Sequence, residues 1–140
     1  MKKGYTLVEL IIVLFILGLC TALLFPVLNI SQEKSSKELR NTAENIQSFI
    51  NLGKAISRKE GRSSNIFFKE DKLTLTINGS SKAVMSMPSS ISCRWNGNNP
   101  AQINSLGYIE DKGTIFVRSI DGKTIEITIK IGTGYVSKKK

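Results

Sequence analysis

Among the 140 residues there is no histidine, and there are only two cysteines. Without histidine the chain has no imidazole for acid–base work, no Ser-His-Asp or Cys-His pair, and lacks the commonest metal ligand. Cys20 lies inside an apolar run and Cys93 far along the polar part. They are poorly placed to pair, so no intradomain disulfide framework is available. Charge is missing in one place: the nineteen residues from Leu10 to Leu28 carry none. No enzymatic constellation emerges elsewhere, so the chain reads as a non-enzyme with no cofactor.

What is present begins with that uncharged run. At 1.5 Å per residue it reaches roughly 28 Å, close to the roughly 30 Å hydrocarbon core of a bilayer. Everything after Ile30 is an ordinary soluble mixture. A cleaved secretory signal fits poorly, because the run exceeds the roughly 7–15 residues of such a signal and no small-x-small site follows. A lipoprotein signal fits no better, since bulky Leu19 precedes Cys20. Lys2 and Lys3 flank the run on its N-terminal side and favour a cytoplasmic N-terminus with the soluble part outside. Glu9 stands out at the edge of the run, because an acid at the centre of a membrane helix costs about 2.5–3.5 kcal/mol.

Beyond Leu28 the helical pattern continues and becomes one-sided. Leu39, Ala43, Ile46, Ile50 and Gly53 form one stripe, with Lys37, Glu38, Arg40, Asn41, Glu44 and Asn45 covering the other side. Arg58 and Lys59 enrich the last turn, and Gly61 is the expected C-cap. A single helix from Thr6 to Glu60 would extend about 80 Å, so its front half would project from a small domain. Gly18 and Pro26 are its weak points, since proline in a helix interior costs roughly 3 kcal/mol.

After Gly61 the period changes to two. Leu73, Leu75 and Ile77 alternate before Asn78-Gly79, and Ile91, Cys93 and Trp95 alternate before a loop at 96–100. Asp121-Gly122 separates the two strands of a hairpin, with Ile125, Ile127, Ile129 and Ile131 on one side. The expected fold is therefore α+β: a long N-terminal α-helix, membrane-spanning in its first half, packed on a C-terminal antiparallel β-sheet.

The stretch KKGYTLVELIIVLFILGL resembles the N-terminus of type IV pilins and pseudopilins. It has a short basic leader ending in Gly4, then an aromatic residue, Thr6, and Glu9 five residues into the mature chain. Gly18 and Pro26 fall where these proteins carry helix-weakening residues. The resemblance implies that prepilin peptidase cuts between Gly4 and Tyr5 and N-methylates Tyr5. Phe is usual after the cut, so Tyr5 is a mild departure. The ending GYIEDKGTIFVRSIDGKTIEITIKIGTGYVS resembles, more loosely, the minor pseudopilins of the GspH/FimT or competence type. The disulfide that closes many major pilins has no counterpart here. Four segments follow: a cleaved leader, 1–4; a transmembrane and assembly helix, 5–30; an amphipathic half-helix, 31–61; and a β-sheet globular domain, 62–140.

The resemblance implies a structural minor subunit of a type IV pilus, competence pseudopilus or type II secretion filament. Its partners would be other pilin subunits, prepilin peptidase, the inner-membrane assembly platform with its ATPase, and membrane lipid before assembly. It would sit as a single-pass plasma-membrane protein and then move to a surface filament. Glu9 has a physical role in that setting. A carboxylate about 4 Å from the new terminal ammonium of its own or a neighbouring chain gains roughly 4 kcal/mol at an effective dielectric of 20. That offsets much of its insertion cost. A DNA-binding filament subunit is the alternative, because the chain carries a net charge of +9. Arg94, Trp95, Lys138, Lys139 and Lys140 are its candidate contacts. A second alternative is a single-pass anchored protein with no filament role. Glu110, Asp111 and Asp121 suggest a calcium site only weakly, and no metal is expected. Cys93 in an alternating strand reads as a small core residue.

Overall fold

The computed structural model describes residues 7–130 and 136–139, with the backbone alone at 23–32 and 136–139. Gly4, Tyr5, Thr6, Ile131, Lys140 and the closing segment 132–135 lie outside the described residues. One helix, α1 (Leu7–Glu60), occupies the first part of the chain and includes Gly18 and Pro26. Eight strands follow: β1 (Ser64–Phe68), β2 (Lys72–Ile77), β3 (Ser80–Ser86), β4 (Ile91–Trp95), β5 (Ala101–Ile103), β6 (Gly113–Ser119), β7 (Thr124–Ile129) and β8 (Val136–Lys139). The chain divides into two units, Met1–Ser35 and Ser36–Lys140, a coarser division than the four segments expected.

In the second unit the one-sided helical pattern does what its spacing predicts. Leu39, Ala43, Ile46, Ile50 and Gly53 are all buried, and Thr42, Phe49 and Ser57 widen the stripe. Lys37, Arg40, Asn41, Glu44 and Asn45 face solvent. The helix stops at Gly61, whose φ of 62° lies in the left-handed region. Arg62 N then donates back to Ser57 O at 3.2 Å, satisfying a carbonyl that the helix end would otherwise leave open.

The single sheet expected from the sequence is two four-stranded sheets, ordered β3-β2-β1-β5 and β4-β6-β7-β8. Every pairing is antiparallel. The division falls at residues 87–90, where Met87 N bonds to Asp71 O and Ile91 N to Pro88 O. Those bonds turn the chain out of the first sheet and start β4 in the second. β5 then returns to pair with β1, setting Ala101 opposite Ile66. Asn78 and Gly79, with φ of 51° and 76°, make the tight turn between β2 and β3, as both central residues of a type I′ hairpin require. The turn between β6 and β7 is longer, and Ser119 N closes it on Lys123 O at 2.9 Å.

β1, β2, β4, β5, β6 and β7 alternate a core face with an outer face, so both sheets bury one side. Ile66, Phe68, Leu73, Leu75 and Ile103 come from the first sheet; Ile91, Cys93, Ile115, Val117, Ile127 and Ile129 come from the second. All join the helix stripe in one cluster. Gly53 marks the closest approach, since a Cβ there would stand 3.1 Å from Cδ1 of both Ile103 and Leu75. One turn on, the Ser57 hydroxyl donates to Gly53 O at 3.0 Å and pairs with the Ser64 hydroxyl. The helix end is thereby tied to β1 by a satisfied polar contact.

Ile46→Ala is expected to lower the stability of this unit by about 2–5 kcal/mol, and Gly53→Leu by about 1–3 kcal/mol through overpacking. Urea unfolding of the full chain in detergent measures both. Unchanged midpoints would contradict the packing described.

Candidate functional site

Residues 7–22 form a helix with no polar stripe. Eleven large apolar side chains, from Leu7 to Leu19, are between 49% and 75% exposed on every side. A helix apolar all round needs lipid or other protein around it. Full burial of each such side chain gains about 1.5–3 kcal/mol. Even partly realised, eleven of them outweigh the about 2.5–3.5 kcal/mol that Glu9 costs at membrane depth. The polar groups of the segment are arranged to match. The Thr21 hydroxyl turns back onto the helix, to Leu17 O at 3.1 Å and Gly18 O at 2.9 Å, which is how a hydroxyl is tolerated in an apolar phase. Glu9 is exposed in the first turn, where the helix dipole favours a negative charge. Among the described residues no helix is long and apolar enough to cross a membrane.

The second unit redistributes the residues proposed from sequence as DNA contacts. Arg94 and Trp95 are adjacent on β4 and therefore point to opposite faces. Trp95 is turned to the core side. Its ring stacks on Phe68 with centroids 5.0 Å apart and planes 18° apart, and Nε1 donates to Asn98 O at 2.7 Å. Gly97 and Gly113 lie so close to the ring that neither has room for a Cβ. The indole is a packing element rather than an open stacking platform. Lys138 and Lys139 sit on β8, opposite Ile127 and Glu126. β8 lies three strands from β4 in the sheet order, roughly 14 Å across.

On the outer face Arg94 instead finds a neighbour that the sequence did not single out. Arg94 is opposite Phe116, and Ser92 is opposite Arg118. These four, with Glu70 and Thr124, line an open cavity of about 770 Å³. Alternation sets Phe116 with Thr114 and Arg118, away from the buried Ile115 and Val117, but only the strand register reveals its pairing with Arg94.

The acidic residues do not converge. Asp111 accepts from Asn98 Nδ2 and from Gln102 N, both at 2.9 Å, and Asp121 belongs to the β6–β7 turn. Among the described residues no three His, Cys, Asp or Glu side chains stand close enough to hold a metal ion. Lys54 lies at the helix–sheet boundary, and burial first, then the Arg58 charge, pull its ammonium below the ordinary value.

Residues 1–25 match the family model of the prokaryotic N-terminal methylation motif, the signature of type IV pilins and pseudopilins. Comparison with curated proteins and with solved structures gave no match.

Cys93 is buried, and burial pushes its thiol up to about 12. The thiolate is the nucleophile, so an alkylating reagent at neutral pH is expected to modify Cys93 only after denaturation. Unfolding frees the thiol to ionise near its ordinary value of 9.0. The unfolded state therefore gains as pH rises, and the contribution to stability falls between about 9 and 12, by about 1.4 kcal/mol per pH unit. The difference in stability between the parent chain and Cys93→Val across that range isolates this slope. Labelling of Cys93 in the folded chain, read by peptide mass because the exposed Cys20 is open to the reagent, or a flat difference, would contradict the burial of the thiol.

Proposed function

We propose that the chain is a structural subunit of a type IV pilin-like filament, matured by prepilin peptidase and assembled through its N-terminal helix. The observation that carries this reading is the methylation motif at residues 1–25 running into a helix exposed and apolar on every side. Such a segment is stable in lipid and equally stable against copies of itself, so a subunit passes from bilayer to filament without exposing it to water. On this reading the peptidase cuts between Gly4 and Tyr5 and methylates Tyr5, and residues 5–30 anchor the precursor with its N-terminus cytoplasmic. Glu9 pairs with the terminal ammonium of a neighbouring subunit and sets the axial register. Gly18 and Pro26 are the points at which the helix loosens during extraction. The folded unit, lacking any catalytic constellation among its described residues, is what the filament displays. The finer reading is a minor subunit of a pilus, competence pseudopilus or type II secretion filament, supported by the loose likeness of residues 107–137 to minor pseudopilins.

Gly4→Ser is expected to block maturation, read as retention of residues 1–4 by intact mass. Glu9→Ala is expected to leave the precursor in the membrane and exclude it from filaments, read by fractionation of sheared filaments. Normal incorporation of the Glu9 variant would sink the alignment role.

A second reading, DNA capture by the displayed unit, is favoured by the outer face of the second sheet. There a half-buried aromatic, Phe116, stands between the exposed Arg94 and Arg118, a pairing of stacking surface and phosphate-binding charge. DNA binding by this face is expected to weaken steeply with added salt and to fall on Arg94→Ala or Phe116→Ala. Salt-independent or absent binding would leave the structural role alone.

A further inference from the structure

Ile120 is 83% exposed, more than any other large apolar side chain among the described residues. It stands on the turn between β6 and β7, and that turn is firmly held. Ile120 N donates to Ser90 O at 2.9 Å, Gly122 N to Ser119 O at 2.9 Å, and Lys123 Nζ to Ser36 Oγ at 2.6 Å. The apolar side chain is thus held outward by a braced turn rather than left on a loose one. Beside it lies a shallow depression of about 340 Å³ whose lining includes Ser89, Ser90, Ser92, Arg118 and Ile120 itself. A guanidinium among hydroxyls suits phosphate oxygens, which accept charge-assisted hydrogen bonds from it. Ser36, which braces the turn, is also the first residue of this unit.

We propose that this pole of the folded unit docks on anionic phospholipid. A headgroup phosphate sits in the depression against Arg118 and the serine hydroxyls, and Ile120 enters the acyl boundary. The inference rests on the anchored precursor proposed above. Ile30 ends the apolar part of the chain, and six residue steps to Ser36 span at most about 21 Å in any conformation. The polar belt of a bilayer adds about 5–7 Å to each side of its hydrocarbon core. An anchor ending at that boundary therefore keeps the pole within reach of headgroups. Tethering at such distances supplies an effective concentration on the order of millimolar, so a weak contact suffices. Within this unit Lys37, Arg118 and Lys123 nearly balance Glu38 and Asp121, and Glu38 already accepts from Ser90 Oγ at 3.0 Å. Bulk charge does not carry the contact; the local phosphate site and the protruding isoleucine do. A soluble phosphate would need no such apolar projection, which is why a lipid is the occupant.

The test is amide hydrogen exchange on the full chain in vesicles of phosphatidylcholine with or without phosphatidylglycerol, and in detergent, with vesicle flotation as a separate measure of anchoring. Exchange across residues 118–123 is expected to slow on the order of tenfold in the phosphatidylglycerol vesicles alone. Ile120→Ser and Arg118→Gln should each abolish the slowing, while Arg94→Ala, which lies off the depression, should leave it intact. Flotation with unchanged exchange overturns the docking while sparing the anchor. Failure to float overturns the anchored reading and this one with it. Equal slowing by glycerol phosphate in detergent shows a free-anion site and also overturns the lipid assignment.

Discussion

The second unit depends on one contact: the stripe of helix α1 from Leu39 to Gly53 lying against the inner faces of two sheets. Ile46 and Ile50 are fully buried there, and so are Leu73, Leu75, Ile103, Ile115 and Ile127 from the strands. Among the described residues, neither four-stranded sheet has a partner for its apolar face other than this shared core. The helix supplies the missing surface to both, and Gly53 lets it come close enough to do so. The polar pair Ser57–Ser64 then fixes where the helix ends relative to the first strand.

The same helix carries two different solutions to the burial of apolar surface. From Leu39 onward the apolar residues occupy one side, so a single neighbouring layer satisfies them. From Leu7 to Leu19 they occupy every side, so no single layer of this chain could cover them. The first pattern builds a domain; the second requires an environment. The methylation motif at residues 1–25 belongs to the second pattern, and the proposed filament role follows from that division of labour within one element.

Much of the fold was legible because it rests on local periodicity. The stripe at Leu39, Ala43, Ile46, Ile50 and Gly53, the C-cap at Gly61, the Asn78-Gly79 turn and the isoleucines of β7 all follow from spacing and backbone preference. β3 was not legible, because Ser80–Ser86 is an edge strand with an almost wholly exposed pattern and gives no alternation to read. β5 was not either, at three residues. Where the candidate contacts Arg94, Trp95, Lys138 and Lys139 lie relative to one another was not legible for a related reason. Neighbours in a strand point apart, and only the strand order shows that β4 and β8 lie at opposite edges of one sheet.

The sequence by itself determined the N-terminal motif, the all-round apolar segment, the acid within it and the amphipathic helix that follows. Each of these is set by residue types at fixed short intervals, and local chemistry is sufficient to define it. Only the tertiary structure decided that the strands form two sheets, that Trp95 is packed on Phe68, and that Arg94 meets Phe116. It alone placed Ile120 beside Arg118 on a braced turn at Ser36. Those outcomes depend on which strands pair and in what register, and register is fixed by how two sheets and one helix share a core.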